Sequence, residues 1–119
     1  ILRLKEGLIL RKVAGQHLVV PIGSRAQISP VMHISASAAW LWEHPMQEEF
    51  TEDSLVEALL TYFSGVTEEV ARADVHAFLE LLDQNYMLDN GKPDPVTGTV
   101  RIKLDQAKAK LLGKKERST

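Results

Sequence analysis

Apolar residues in the first third of the chain fall in short runs. Leu8, Ile9, Leu10 and Val13 form one, and His17, Leu18, Val19 and Val20 form another, separated by Ala14, Gly15 and Gln16. Two aliphatic and β-branched runs joined by a few turn residues predict an antiparallel hairpin. Pro21 ends the second strand, because it has no N–H to give the ladder. Residues 22–30 read as a polar loop with Gly23 and Ser24. Val31, Met32, His33 and Ile34 then make a third short strand, which tolerates Pro30 as a first residue or on an edge.

The pattern changes period at Ser35. Ser35 can cap a helix over residues 36–43, with Ala38, Ala39, Leu41 and Trp42 on its buried side and Pro45 stopping it. Thr51 is the next cap, with Glu52 and Asp53 favourable at the helix N-terminus. Leu55, Val56, Leu59, Leu60 and Phe63 recur at helical spacing before Gly65 closes the helix. Thr67 caps a third helix, again followed by two acids, and Ala71, Val75, Phe78, Leu79 and Leu82 form its core stripe. Beyond Asn90-Gly91 and Pro93-Asp94-Pro95, Val100, Ile102 and Leu104 alternate with Arg101 and Lys103 as a half-exposed strand. A short basic helix over 105–112 and a frayed end follow. The expected fold is therefore α+β and winged-helix-like. A three-stranded antiparallel sheet precedes three helices, with a C-terminal strand and helix as an extension.

Composition narrows the class. The chain has 119 residues, enough for one modest core plus an extension, and no apolar run long enough to span a membrane. With no cysteine there is no disulfide, thiolate metal site or cysteine nucleophile, which fits a cytoplasmic protein. The first residue is Ile1, so the natural start is expected to lie upstream. The net charge of −2 hides a segregation. Residues 43–94 carry thirteen acids against Arg72 and Lys92, a net of −11, whereas residues 101–119 carry seven bases against Asp105 and Glu116, a net of +5.

Catalytic patterns are lacking. His17, His33, His44 and His76 show no i, i+4 pair of the kind a helical zinc site needs. The acids sit at helix starts and on solvated faces rather than at a converging spacing. Ser35 and Ser37 have no G-x-S-x-G context, and no glycine-rich phosphate loop is present. The reading is a non-enzyme without cofactor or metal. A nucleic-acid role for three strands and three helices is disfavoured, because the third helix carries Glu68, Glu69, Asp74, Glu80 and Asp83 against Arg72 alone. A DNA-binding regulator using the basic tail is the alternative.

Recognition by backbone remains. If the strand at 31–34 lies on the sheet edge, its free N–H and C=O groups are a template for an added strand. Val70, Ala77 and Leu81 extend the apolar arc of the third helix, with Arg72, His76, Glu80 and Asp83 on the wet side. That flank either walls a peptide cleft or packs on the first helix or the C-terminal strand. The strand at 100–104 is expected to pair with the chain's own sheet or with a neighbour's free edge in a homodimer.

The order of these motifs resembles the PqqD-like family, named for pyrroloquinoline quinone synthesis protein D. The resemblance rests on residues 4–10 with Val19-Val20-Pro21, then Ile34-Ser35-x-Ser37-Ala38-Ala39-x-Leu41-Trp42-Glu43. It continues in Ser54-Leu55-Val56, Leu59-Leu60-x-Tyr62-Phe63 and Ala71-x-x-Asp74-Val75-x-x-Phe78-Leu79-x-x-Leu82, and closes in Met87-Leu88. It implies a peptide-recognition element over residues 1–90, with 91–119 a basic extension. In that family the leader of a precursor peptide adds as a strand beside the third strand and against the third helix. The domain presents it to a modifying enzyme, often a radical S-adenosylmethionine enzyme. Carried onto this chain, the peptide-binding residues are Val31, Met32, His33, Ile34, Val70, Asp74, Ala77 and Leu81. Ser35 stands where the family usually has Asn, and keeps a capping oxygen. Tyr86, after Asn85, stands where the family usually has Gly, so the end of the third helix is expected to be shaped differently.

Overall fold

A computed structural model describes residues 1–95 of the chain. It opens on a two-residue strand, β1 (Arg3–Leu4), followed by β2 (Leu8–Val13), β3 (Gln16–Pro21) and β4 (Met32–Ile34). Three helices come next: α1 (Ala36–Glu43), α2 (Glu52–Tyr62) and α3 (Glu68–Gln84), and β5 (Leu88–Asp89) closes the described chain. The sheet order is β2-β3-β4, antiparallel throughout, which is the expected α+β arrangement. The expected strand at 100–104 and helix at 105–112 lie outside the described residues.

The hairpin turn is tighter than its sequence suggests. Only Ala14 and Gly15 form it, at φ 51° and 79°, and Gln16 already pairs with Val13. Positive φ at both positions is the turn whose twist matches a two-residue hairpin. Gly15 adopts it freely, while Ala14 is there because the two strands demand it.

The helices start where their caps put them. Ser35 Oγ accepts from the Ala38 N–H at 3.1 Å, and Thr67 Oγ1 from the Val70 N–H at 3.3 Å. At α2 the cap is reciprocal: Thr51 Oγ1 accepts from the Ser54 N–H, and Ser54 Oγ from the Thr51 N–H. The helices bury one contiguous core against the sheet, from Val19 and Met32 through Leu41, Trp42, Leu55, Leu59, Val75 and Leu82. Leu60 is a correction to the expected stripe, being exposed. At ~100° per residue it lies about 40° beyond Val56, at the rim of the buried arc that Leu55, Leu59 and Val56 fill.

Two pairings carry no periodic signal in so few residues. Arg3 and Leu4 pair with Asp89 and Leu88, and Leu2 exchanges backbone bonds with Phe50 at 2.7 and 2.9 Å. The chain's beginning is thereby sewn to the end of the domain.

The end of α3 corrects another expectation. The Met87 N–H bonds the Leu82 carbonyl and the Tyr86 N–H the Asp83 carbonyl, with Tyr86 at φ 58°. This is the left-handed Schellman turn that a glycine usually makes. The turn is kept, and a bulky residue is held in the αL region to make it. Tyr86 is half-exposed, so its ring contributes little packing. Tyr86→Gly should therefore raise the unfolding free energy by about 1 kcal/mol, the cost of αL for a non-glycine residue, as read by urea denaturation.

Candidate functional site

The hairpin register decides which backbone groups of the sheet are free. Residues flanking a two-residue turn exchange both of their N–H···O bonds, and bonded pairs alternate with non-bonded ones along an antiparallel ladder. Val13 and Gln16 flank this turn, so Leu18 and Val20 point their backbone groups at β2, and His17 and Val19 point theirs at β4. In the β3–β4 ladder the bonded pairs are then His17 with Ile34 and Val19 with Met32, while Leu18 faces His33 without bonds. The N–H and C=O of His33 point outward. Among the described residues no strand lies beyond β4, and no backbone bond occupies these two groups.

Side chains follow the same alternation. Met32 is buried and Ile34 packs on the core, whereas Val31 and His33 are exposed. Beside this edge lies a groove of about 430 Å³. His33 and Ile34 form one bank, and Asp74, Ala77 and Leu81 of α3 form the other. Its floor is the outer surface of the core, from Ala38 and Leu41 of α1 to Leu59 of α2 and Phe78 of α3. Ser35 and Ser37 sit at the end where α1 begins, their hydroxyls 3.2 Å apart.

Five of the eight predicted residues thus line one groove: His33, Ile34, Asp74, Ala77 and Leu81. Val31 and Val70 are exposed but do not line it. Met32 faces the core and gives its N–H to β3, so it holds the edge in place without offering it. Packing of the apolar flank of α3 on α1 is not what the described residues show, since Val70 and Leu81 are 52% and 40% exposed, while the expected C-terminal strand that could also cover it lies outside them. The floor residues were missed because helical spacing assigns them to the core. They belong to it, and only three-dimensional curvature shows that their outer side is open.

Electrostatics separate the two sides of α3. On the side away from the apolar arc, Arg72 donates to Asp53 at 2.8 Å, and His76 sits 2.8 Å from Glu52 and 3.4 Å from Glu80. Both bases of α3 are tied to neighbouring carboxylates, which leaves the helix surface acidic. The hydrogen bond to Glu52, reinforced by the charges of Glu52 and Glu80, raises the His76 imidazole above its usual value. A raised value in the folded state means that this link is complete below pH ~6.5 and is lost as pH rises through the folded value. In an NMR titration His76 should therefore titrate above the free-histidine midpoint, and Glu52→Gln should bring it down.

A larger hollow of about 800 Å³ lies between β1 and the turn after α1, with Arg3, Lys5, Glu48 and Glu49 on its rim. Arg3 is paired with Glu49 there, the β1 backbone is already bonded to β5, and Leu2 just before it to Phe50. It offers no strand template, so the smaller groove is the candidate site. Among the described residues no group of three His, Asp or Glu side chains could hold a metal, and no helix is long and apolar enough to cross a membrane.

Comparison with known proteins adds two findings. Residues 18–88 match the family model for coenzyme PQQ synthesis protein D, PqqD. The fold is similar to a solved structure described as TbiB1 in complex with the TbiA(beta) leader peptide. The TM-score is 0.59 at 14% identity, covering 76% of this chain and 99% of that one. No curated protein matches the sequence.

Proposed function

The chain belongs to the PqqD family, and from that premise we propose that it is a non-catalytic peptide-binding element. It captures the leader segment of a precursor peptide as an added strand on β4. It presents that peptide to a modifying enzyme, of the radical S-adenosylmethionine type, in the cytoplasm. The observation that carries this reading is the outward N–H and C=O of His33 beside an open apolar groove. An incoming strand gains main-chain bonds from His33, while alternate side chains enter the groove against Ala77 and Leu81. Asp74 is the one carboxylate among the lining residues, so the groove suits recognition better than acid–base chemistry. Val31 flanks the added strand, Met32 and Ile34 anchor β4 from inside, and Val70 continues the apolar flank of α3 beyond the groove. That a protein of similar fold is described in complex with a leader peptide supports a leader as the ligand. The recognition element comprises residues 1–90, and 91–119 is a separate basic extension.

The test is calorimetric titration of the full chain with the leader of a short precursor encoded beside it, repeated at rising salt. Strand capture in an apolar groove predicts binding that changes little with salt. Silence towards the leader, with duplex DNA binding that weakens steeply with salt, would overturn the reading in favour of phosphate contacts.

A further inference from the structure

The described chain ends beside the turn that follows α3. Arg25 donates to both carboxylate oxygens of Asp94, at 2.9 and 2.8 Å, and Lys5 lies 3.4 Å from the same group. The same guanidinium reaches the Tyr86 carbonyl at 3.0 Å, and Ser29 Oγ donates to that carbonyl at 3.3 Å. Asn85, one residue earlier, has its amide 3.8 Å from the sulfur of Met32. Asp94 is therefore pinned beside the turn that joins α3 to β5, a turn whose Asn85 touches Met32 at the start of β4. The hydrogen bond from Arg25 holds the Asp94 carboxyl below the usual carboxylate range. The tie is thus complete above pH ~3.9 and loosens only as pH falls through the lowered value.

From Pro95, residues 96–99 precede the alternating segment Val100-Arg101-Ile102-Lys103-Leu104. Five extended residues span up to ~17 Å, well over the ~10 Å length of a three-residue strand, and they start on the side of the Met32 end of β4. The pattern of the segment fits what the groove offers. On an added strand Val100, Ile102 and Leu104 would share the face towards the groove, and Arg101 and Lys103 would face water. Those bases lie in the +5 extension, and the helices they would approach lie in the −11 region.

We infer that residues 100–104 are a tethered occupant of the β4 edge, which a substrate peptide must displace. This rests on the strand-capture reading of the same groove. A short tether presents its segment at roughly millimolar effective concentration, so pairing with an intrinsic Kd of about 0.1 mM keeps the edge about nine-tenths covered. Displacement then sets a threshold that an incoming leader must exceed, and it protects an exposed strand edge from pairing with other chains.

Amide hydrogen exchange of the full chain tests this at His33, whose N–H has no partner within the described fold. We expect the His33 amide to exchange about tenfold more slowly in the natural chain than in a full-length variant carrying Val100→Asp, Ile102→Asp and Leu104→Asp. A synthetic peptide of residues 97–107, added to that variant, should restore the protection. Equal exchange in the two proteins would overturn the tether and leave strand capture to stand or fall by the leader titration alone. Protection that is lost on dilution would assign the edge to a second copy and would equally overturn it.

Discussion

Leu82→Ala should cost the fold about 3 kcal/mol, whereas Leu81→Glu, one residue earlier, should leave the fold nearly intact and remove peptide binding. The contrast comes from one turn of α3. Leu82 is fully buried at the centre of the core, so truncation loses transfer energy and leaves a cavity that its neighbours fill only in part. Its carbonyl also accepts the Met87 N–H of the closing turn, so this helix end has little freedom to collapse inward. Leu81 is 40% exposed and faces the groove. A glutamate there lies outside the core and spares its packing, but meets the apolar side of an added strand in the complex. Burying that charge beside Ala77 should weaken leader affinity at least about tenfold, or ~1.4 kcal/mol. Urea denaturation and calorimetry on the two variants separate the effects. A Leu81→Glu variant that unfolds as readily as Leu82→Ala would show that the flank is core after all.

The second large contrast lies in β4. His33→Pro should keep the domain folded and weaken leader binding about tenfold, because the ring removes one outward donor. Met32→Pro should instead destabilise the domain by about 3 kcal/mol or more. Its N–H belongs to the ladder with Val19, and its side chain is buried. Circular dichroism on heating, together with the titration, reads both. If the two variants exchange roles, the register is shifted by one residue and every side chain of β4 changes face.

Much of this architecture was legible in the amino-acid order. Ser35, Thr51 and Thr67 cap the three helices because each places an oxygen before a run of helical spacing. Pro21 ends its strand for want of an N–H. Ala77 and Leu81 announced the apolar flank through their angle on α3. Other features were not legible for equally physical reasons. The orientation of His33 depends on the turn containing two residues rather than three. Ala14 at positive φ is a tertiary compromise that no propensity suggests. β1 and β5 are too short to alternate, and they exist because Leu2 and Met87 are held by partners far along the chain. Tyr86 looked like a departure from the family's glycine, yet Arg25 and Ser29 meet its carbonyl, and the turn survives the substitution. The groove floor was hidden because a core residue and a groove-lining residue carry the same apolar signature.

The most direct test of the central claim is a nitrogen-15 NMR titration of the full chain with the leader peptide. Strand capture predicts the largest shifts at His33, with Ala77 and Leu81 following across the groove and the Arg3–Glu49 region unchanged. Shifts confined to residues 101–119, or to the hollow beside β1, would contradict it.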